Sequence, residues 1–110
     1  MRIDANNHIR MTRGDSETLT VTCEQRPFEE GDILELTMRE SKAYPEKVLE
    51  KKVSSFEDGK AVIVFNPEDT SGLKFKEYVY DIQLTQADGT VTTIVKPAAF
   101  TIEFEVTYDG

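Results

Sequence analysis

Two side chains of this sequence have the chemistry needed for nucleophilic catalysis, the thiol of Cys23 and the imidazole of His8. A catalytic thiol needs a base within hydrogen-bond reach and a third group that orients the base. No Gly-x-Ser-x-Gly, His-Glu-x-x-His or glycine-rich phosphate motif links the two candidates. Cys23 also continues the alternation of Leu19 and Val21, which predicts a small core residue. We therefore predict no catalytic residues, no cofactor and no enzymatic activity.

Carboxylate side chains are concentrated near the predicted loops, and their oxygens are of the type that binds calcium. The loop carboxylates are Glu29, Glu30, Asp32, Glu57, Asp58, Glu68 and Asp69. None of them follows the alternating Asp or Asn spacing of a dedicated calcium loop, and Asp is favoured in turns. We therefore predict solvated turns and no metal site. Asp81 lies within a predicted strand, where we expect it to pair with a lysine or arginine across the sheet.

The tripeptide Arg13-Gly14-Asp15 matches the motif that integrins bind in secreted adhesion proteins. Such proteins carry signal peptides and disulfides, whereas this sequence opens without a charged-then-apolar segment and has one cysteine. A turn is the simpler interpretation, because Gly14 accepts unusual backbone angles and Asp15 or Ser16 can start a strand with a local backbone hydrogen bond. We predict a bend between two strands.

The composition limits the classes of partner. The 110 residues include 13 Lys and Arg against 21 Asp and Glu, so the net charge is −8. Proteins neutralise nucleic-acid phosphates with Lys and Arg, so this balance argues against nucleic-acid binding. No apolar run approaches the roughly 20 residues that span a bilayer, so we expect no membrane contact. We expect the chain to be synthesised and folded in a cytoplasm.

The clearest secondary-structure signal in the sequence is a β-hairpin of two strands over residues 77–96. Apolar and aromatic residues alternate with polar residues along its first strand, which is the period of a half-buried strand. The inward positions are Tyr78, Tyr80, Ile82 and Leu84. Asp88-Gly89 predicts the turn that joins the two strands.

Further strands are predicted around this hairpin by the same alternation. They cover residues 8–12, 17–24, 33–39, 47–53, 60–65 and, after a break at Pro97, 100–108. The inward face of the last strand carries Phe100, Ile102, Phe104, Val106 and Tyr108. Three lysines in residues 47–53 suit a sheet edge, and Asp58-Gly59 predicts a second hairpin turn. Residues 1–7 carry little pattern and are expected to form a loose lead-in.

Two local signals lie between the predicted strands. Asn66 can cap a short helical turn that has Pro67 at its first position and ends near Gly72. The spacing from Leu73 to Tyr78 is similar to the corner of immunoglobulin-like sandwiches, where a tyrosine hydrogen-bonds to nearby backbone.

The number and spacing of these elements predict the fold class. Seven to nine short strands with regular turn signals predict an all-β protein, an antiparallel immunoglobulin-like β-sandwich. Residues 1–110 are predicted to form a single domain, which is long enough to bury a core without metal or disulfide. The aromatics Tyr78, Tyr80, Phe100, Phe104 and Tyr108 mostly take inward positions, so core packing is favoured over a sugar- or peptide-binding platform.

Several motifs together resemble a known family. They are Thr12-Arg13-Gly14-Asp15-Ser16 before Leu19-Thr-Val-Thr22, Gly31-Asp32 before Leu34-Glu-Leu-Thr-Met-Arg39, Asn66-Pro67-Glu68-Asp69-Thr70, Tyr78-Val-Tyr-Asp-Ile-Gln-Leu84, Asp88-Gly89, Thr93-Ile94-Val95 and Phe100-Thr-Ile102. This set resembles the small immunoglobulin-like domains of phage and prophage structural modules in Gram-positive bacteria, including the N-terminal domains of upper baseplate proteins. The likeness extends from about residue 10 to residue 107.

The resemblance implies a non-enzymatic phage or prophage structural protein, located in the virion as an accessory, baseplate, tail or head subunit. Its expected partners are other virion proteins or further copies of itself, bound through sheet edges and loops. The family carries no catalytic residues, so none is transferred to this chain. The alternative is a carbohydrate- or host-surface-binding module, which an exposed cluster of aromatic side chains would favour.

Overall fold

The computed structural model describes residues 1–104, which form eight strands and one short helix. The elements are β1 (Arg2–Ile3), β2 (Ile9–Thr12), β3 (Glu17–Val21), β4 (Ile33–Arg39), β5 (Lys47–Val53), β6 (Ala61–Phe65), α1 (Pro67–Ser71), β7 (Glu77–Thr85) and β8 (Val91–Glu103). The prediction of an all-β protein is confirmed.

The strands form two sheets of unequal size. Six strands build the larger sheet in the order β1-β2-β8-β7-β4-β5, and β3 pairs with β6 in the smaller one. Most neighbouring strands are antiparallel, but β2 runs parallel to β8, with Ile9 opposite Phe100 and Met11 opposite Ile102. The larger sheet is therefore mixed, and the expectation of antiparallel pairing throughout is wrong at this pair.

The predicted hairpin of residues 77–96 is confirmed as β7 and β8, which lie side by side within the larger sheet. The turn between them is closed by a hydrogen bond from the Gln86 N–H to the Thr90 carbonyl, and Gly89 has a φ of 90°. The buried apolar residues are Ile9, Met11, Leu19, Val21, Phe28, Leu34, Leu36, Met38, Ala61, Ile63, Phe65, Tyr78, Tyr80, Ile82, Leu84, Phe100 and Ile102. Both sheets contribute to this one core.

Pro97 does not end a strand, contrary to the predicted break. β8 continues through Pro97. Tyr80 pairs with Ala98 and Ile82 pairs with Val95, so two residues of β8, Lys96 and Pro97, lie opposite the single residue Asp81 of β7. This is a β-bulge, and a bulge tolerates proline because the extra residue has no ladder hydrogen bond to lose.

The turn predicted at Asp58-Gly59 is present, but it does not connect two paired strands. Asp58 and Gly59 have φ angles of 52° and 72°, and Glu57 bridges to Lys60 across the turn. β5 pairs with β4, whereas β6 pairs with β3 in the other sheet. The chain therefore crosses from one sheet to the other at this turn. The apolar residues of β6, Ala61, Ile63 and Phe65, are buried against the larger sheet there.

The ends of the described region differ from the predictions. Arg2–Ile3 form a short strand on β2, so residues 1–7 are not wholly a loose lead-in. β3 ends at Val21 rather than near residue 24. β8 ends at Glu103, and Phe104 is 60% exposed rather than inward. The predicted inward residues Val106 and Tyr108 lie outside the described residues.

Both local signals between the strands are confirmed. α1 is preceded by Asn66, whose N–H donates to the Asp69 carboxylate at 2.7 Å. The hydroxyl of Tyr78 accepts a hydrogen bond from the Lys74 N–H at 3.0 Å, which fixes the chain as it enters β7. This is the backbone contact expected of a tyrosine corner.

Replacing Tyr78 by Phe should lower the free energy of unfolding by about 1 kcal/mol, because the partly buried Lys74 N–H loses its acceptor. Urea denaturation followed by circular dichroism measures the change. Tyr44→Phe is the matched control, since Tyr44 is exposed on the loop before β5. Equal midpoints for the two variants would contradict the structural role of this hydroxyl.

The two turn glycines Gly59 and Gly89 should respond differently to alanine. Both have positive φ, which costs a residue with a Cβ about 1 kcal/mol. A Cβ at Gly59 would also overlap Pro27, whereas Gly89 has open space around it. Thermal or urea unfolding should show Gly59→Ala to be less stable than Gly89→Ala by about 1–3 kcal/mol. The reverse order would refute the close packing of Pro27 on this turn.

Candidate interaction surface

The structure does not assemble a nucleophile and base from His8 and Cys23. The His8 ring nitrogens lie 2.8 Å from the Thr101 hydroxyl and 3.3 Å from the Arg10 guanidinium. The Cys23 thiol donates to the Gln25 side chain at 3.1 Å. Cys23 is half-buried beyond the end of β3, where it packs against the edge of the core rather than inside it.

Arg13-Gly14-Asp15 forms the predicted turn. Gly14 has a φ of 84°, and its N–H donates to the Thr70 hydroxyl at 2.8 Å. The Arg13 guanidinium donates to the Leu73 carbonyl and lies 4.0 Å from the centre of the Phe75 ring. These contacts tie the turn to the segment after α1, so the arginine is engaged within the domain.

The most buried of the candidate calcium ligands, Asp32, has protein partners instead. Its two carboxylate oxygens accept hydrogen bonds from the Arg26 guanidinium at 2.9 and 3.0 Å, and one also accepts from the Glu29 N–H. Arg26 lowers the pKa of this carboxyl by hydrogen bonding, and the Glu29 N–H acts in the same direction. The pair closes the loop between β3 and β4.

The remaining carboxylates behave in different ways. Asp69 forms an ion pair with Lys51 at 2.6 Å, which joins α1 to β5. Asp81 faces Thr37 across the sheet and has no ion pair in the described part of the chain, so its predicted cross-strand partner is wrong. Within residues 1–104, no group of three or more His, Cys, Asp or Glu side chains is placed to hold a metal ion.

One concavity is a groove between the two sheets, here called the β3–β8 groove. Residues 19–25 form one wall and residues 92–95 form the other. Its volume is about 430 Å³, and its floor reaches the buried side chains of Tyr80 and Ile82. The groove therefore opens from solvent to the edge of the core.

Both walls of the groove are strand edges that lack a neighbour in the described structure. β3 has β6 as its one partner, and β8 contacts β2 through residues 100–103 alone. Residues 91–98 of β8 are consequently paired with β7 on one side only. An unpaired edge presents alternate backbone N–H and C=O groups that can bond to another strand.

The floor of the groove is held by a partly buried hydrogen bond. The Tyr80 hydroxyl donates to the Asn7 carbonyl at 2.6 Å, and Asn7 adopts a φ of 62°. Burial raises the pKa of Tyr80 to about 12, with a smaller contribution from Asp4. The hydroxyl is therefore a neutral donor that holds the β1–β2 turn at the end of the groove.

The other side of the domain is protected by charge. There β5 faces β6, and the gap between them is lined by Lys51, Lys52 and Val53. Lysines on an edge strand discourage pairing with another chain, which agrees with the predicted edge position of β5. The β3–β8 groove contains no lysine or arginine, and Glu24 is its one charged residue.

Two exposed apolar patches lie outside the groove. Val62 and Val64 are 44% and 49% exposed on the outer face of β6, opposite Thr20 and Thr18 of β3. Phe75 and Phe104 are 42% and 60% exposed, and their ring centres are 4.9 Å apart at the opposite end of β8 from the groove. Of the aromatics predicted to be inward, Tyr78, Tyr80 and Phe100 are buried.

Sequence patterns did not predict the groove. Alternation showed which residues face the core, but it did not show that β3 and the first half of β8 would lack neighbours. The one available signal was the absence of Lys and Arg from residues 17–25 and 91–95, in a chain with 31% charged residues.

Comparison with protein-family models, with characterised proteins and with solved structures finds no match. The helix found in residues 1–104, α1, has five residues and is too short to span a membrane.

The Arg26–Asp32 pair should make stability depend on acid pH. Because the folded pKa of Asp32 lies below its ordinary 3.8, the pair contributes fully above about pH 4 and is lost as the pH falls through the folded pKa. Asp32→Asn should lower the free energy of unfolding at pH 7 by about 2 kcal/mol and flatten its decline at acid pH. Urea denaturation at several pH values between about 2.5 and 7 measures both effects, because carboxyl groups titrate within this range.

Glu30→Gln is the control for this measurement, because Glu30 lies exposed in the same loop. It should leave the wild-type pH profile nearly unchanged. An Asp32→Asn profile that declines as steeply as wild type would show that the carboxylate is not the titrating group.

Proposed function

We propose that this chain is a non-enzymatic structural protein of a phage or prophage particle, an accessory or a baseplate, tail or head subunit that acts through protein–protein contacts. The observation that carries the proposal is the β3–β8 groove, where two strand edges lie open to solvent above the edge of the core. The unpaired N–H and C=O groups of an open strand edge can pair with another chain, which causes aggregation of a monomer but gives a subunit of an assembly a binding surface. Assignment to a particle rests on the motifs that resemble phage immunoglobulin-like domains.

The finer fold proposed with this function is an immunoglobulin-like sandwich. Two features support it: two sheets share one core, and the Tyr78 hydroxyl accepts the Lys74 N–H in the manner of a tyrosine corner. The parallel pairing of β2 with β8 departs from an all-antiparallel arrangement, but it involves four residue pairs at the end of β8. The remaining pairs in both sheets are antiparallel.

A carbohydrate- or host-surface-binding module is the alternative function, and one observation favours it. Phe75 and Phe104 form an exposed aromatic pair of the kind that can stack on a sugar. Their rings are inclined by 55°, however, and Arg13 lies against Phe75. The pair does not present a flat platform, so a structural role is the better supported function.

Particles purified by density after induction of the prophage that encodes this chain should contain it in stoichiometric amount. Quantitative mass spectrometry against the major capsid and tail proteins measures its copy number. The unfractionated lysate serves as the control for expression. Abundance in the lysate together with absence from intact particles would refute the particle role.

The alternative is tested with the purified protein on a glycan array. Selective binding that Phe75→Ala abolishes would favour a surface-binding module. Tyr44→Ala is the control, because Tyr44 is an exposed aromatic outside the pair. Binding that survives Phe75→Ala would exclude the aromatic pair as the sugar site.

A further inference from the structure

We propose that the β3–β8 groove binds an extended segment of a partner polypeptide, which adds to the free edge of β3 as a third strand of the smaller sheet. The segment carries apolar side chains at alternate positions and a lysine or arginine next to Glu24. The inference rests on the proposed function, because it identifies the surface through which such a subunit would be held by its neighbour.

The backbone of β3 provides the first argument. β3 pairs with β6 on one side, and its other edge lines the groove. A sheet of two strands is marginal by itself, and a third strand would add ladder hydrogen bonds without displacing any existing pair. β3 itself, Glu17–Val21, would pair with about five residues of extended chain, or roughly 17 Å.

The side chains of the groove specify the pattern of the bound segment. In a strand, successive side chains point to opposite faces, so every second residue of an added strand would face the groove floor. The floor is formed by Tyr80 and Ile82, and the apolar side chain of Val95 lies on the adjoining wall. The intervening residues would face solvent beside the threonines of the rim. The groove therefore selects alternating apolar residues.

Charge identifies the partner as a basic segment rather than a second copy of this chain. Glu24 is the one charged side chain of the groove, and the whole chain carries a net charge of −8. Two copies meeting at this groove would bring Glu24 and two acidic domains together. A segment with a lysine or arginine at this position would instead form an ion pair at the rim.

The other edges are less suited to strand addition. β5 carries Lys47, Lys51 and Lys52, and β1 is two residues long. On β8, Lys96 and Pro97 follow the groove residues and interrupt the edge, since proline has no N–H to donate. The edge of β3 is free of these features.

A displayed library of random seven-residue peptides is the probe for this site. The library is first depleted on the double variant Thr22→Lys/Thr93→Lys, which places a long cation on each wall, and then selected on the wild-type protein. Thr22 and Thr93 are both exposed, so the substitutions should leave the core intact. Enriched peptides should show alternating apolar residues and a Lys or Arg near one end.

Synthetic peptides of the enriched sequences are then measured against variants by isothermal titration calorimetry. The double variant should weaken binding at least tenfold, and Glu24→Gln by about threefold, as expected for an exposed ion pair. Thr18→Lys is the matched control, because Thr18 is exposed on β3 but does not line the groove. It should bind like wild type, and circular dichroism confirms that each variant is folded.

Hydrogen exchange of the wild-type protein locates the bound peptide without relying on the variants. Alternate amides of β3, Glu17–Val21, should become protected when the peptide is added. No enrichment after depletion, or protection confined to β5 or to the outer face of β6, would overturn the proposal. Dimerisation of the free protein in sedimentation, with protection of the same amides, would make a second copy the occupant and would also overturn it.

The result is separable from the test of the proposed function. Peptide binding by a chain absent from particles would refute the particle role and leave the groove as a binding site. A chain present in particles that binds no peptide would leave the particle role and refute the groove.

Discussion

The structure depends on keeping the apolar face of the six-stranded sheet away from water. The β7–β8 hairpin provides the centre of this face, where Tyr80 packs edge-on against Phe100 with ring centres 5.6 Å apart. Phe65 of the smaller sheet contacts the same Phe100 ring at 5.8 Å. Phe100 therefore joins the two sheets, and burial of the apolar side chains around it favours folding.

The two sheets differ in size, with six strands in one and two in the other, and this difference accounts for the candidate site. Two strands are too few to cover six, so the sandwich is open along both sides of the smaller sheet. One opening is spanned by the Lys51–Asp69 ion pair and lined by lysines. The other contains one charged residue, Glu24, and exposes strand edges that lack a neighbour in the described structure, which is why it is the candidate interaction surface.

Polar groups at the periphery of the core are satisfied by local contacts. Asp32 is held by Arg26, Tyr80 donates to the Asn7 carbonyl, and Tyr78 accepts the Lys74 N–H. In the described part of the chain, no buried side-chain nitrogen or oxygen lacks a hydrogen-bond partner. These contacts tie the loops to the ends of the sandwich, and the Tyr80–Asn7 bond does so at the groove.

The sequence by itself determined the features that depend on near neighbours along the chain. Alternation placed Tyr78, Tyr80, Ile82 and Leu84 on the buried face, because successive side chains of a strand point in opposite directions. The Asp88-Gly89 turn, the cap at Asn66 and the hydrogen bond from the Lys74 N–H to the Tyr78 hydroxyl span a few residues each. The tertiary structure decided everything that depends on which strands become neighbours. The period of two specifies a face but no partner, so it could not show that β6 would join β3 or that β2 would run parallel to β8. The β3–β8 groove arises from those long-range pairings, and for that reason only the folded structure could reveal it.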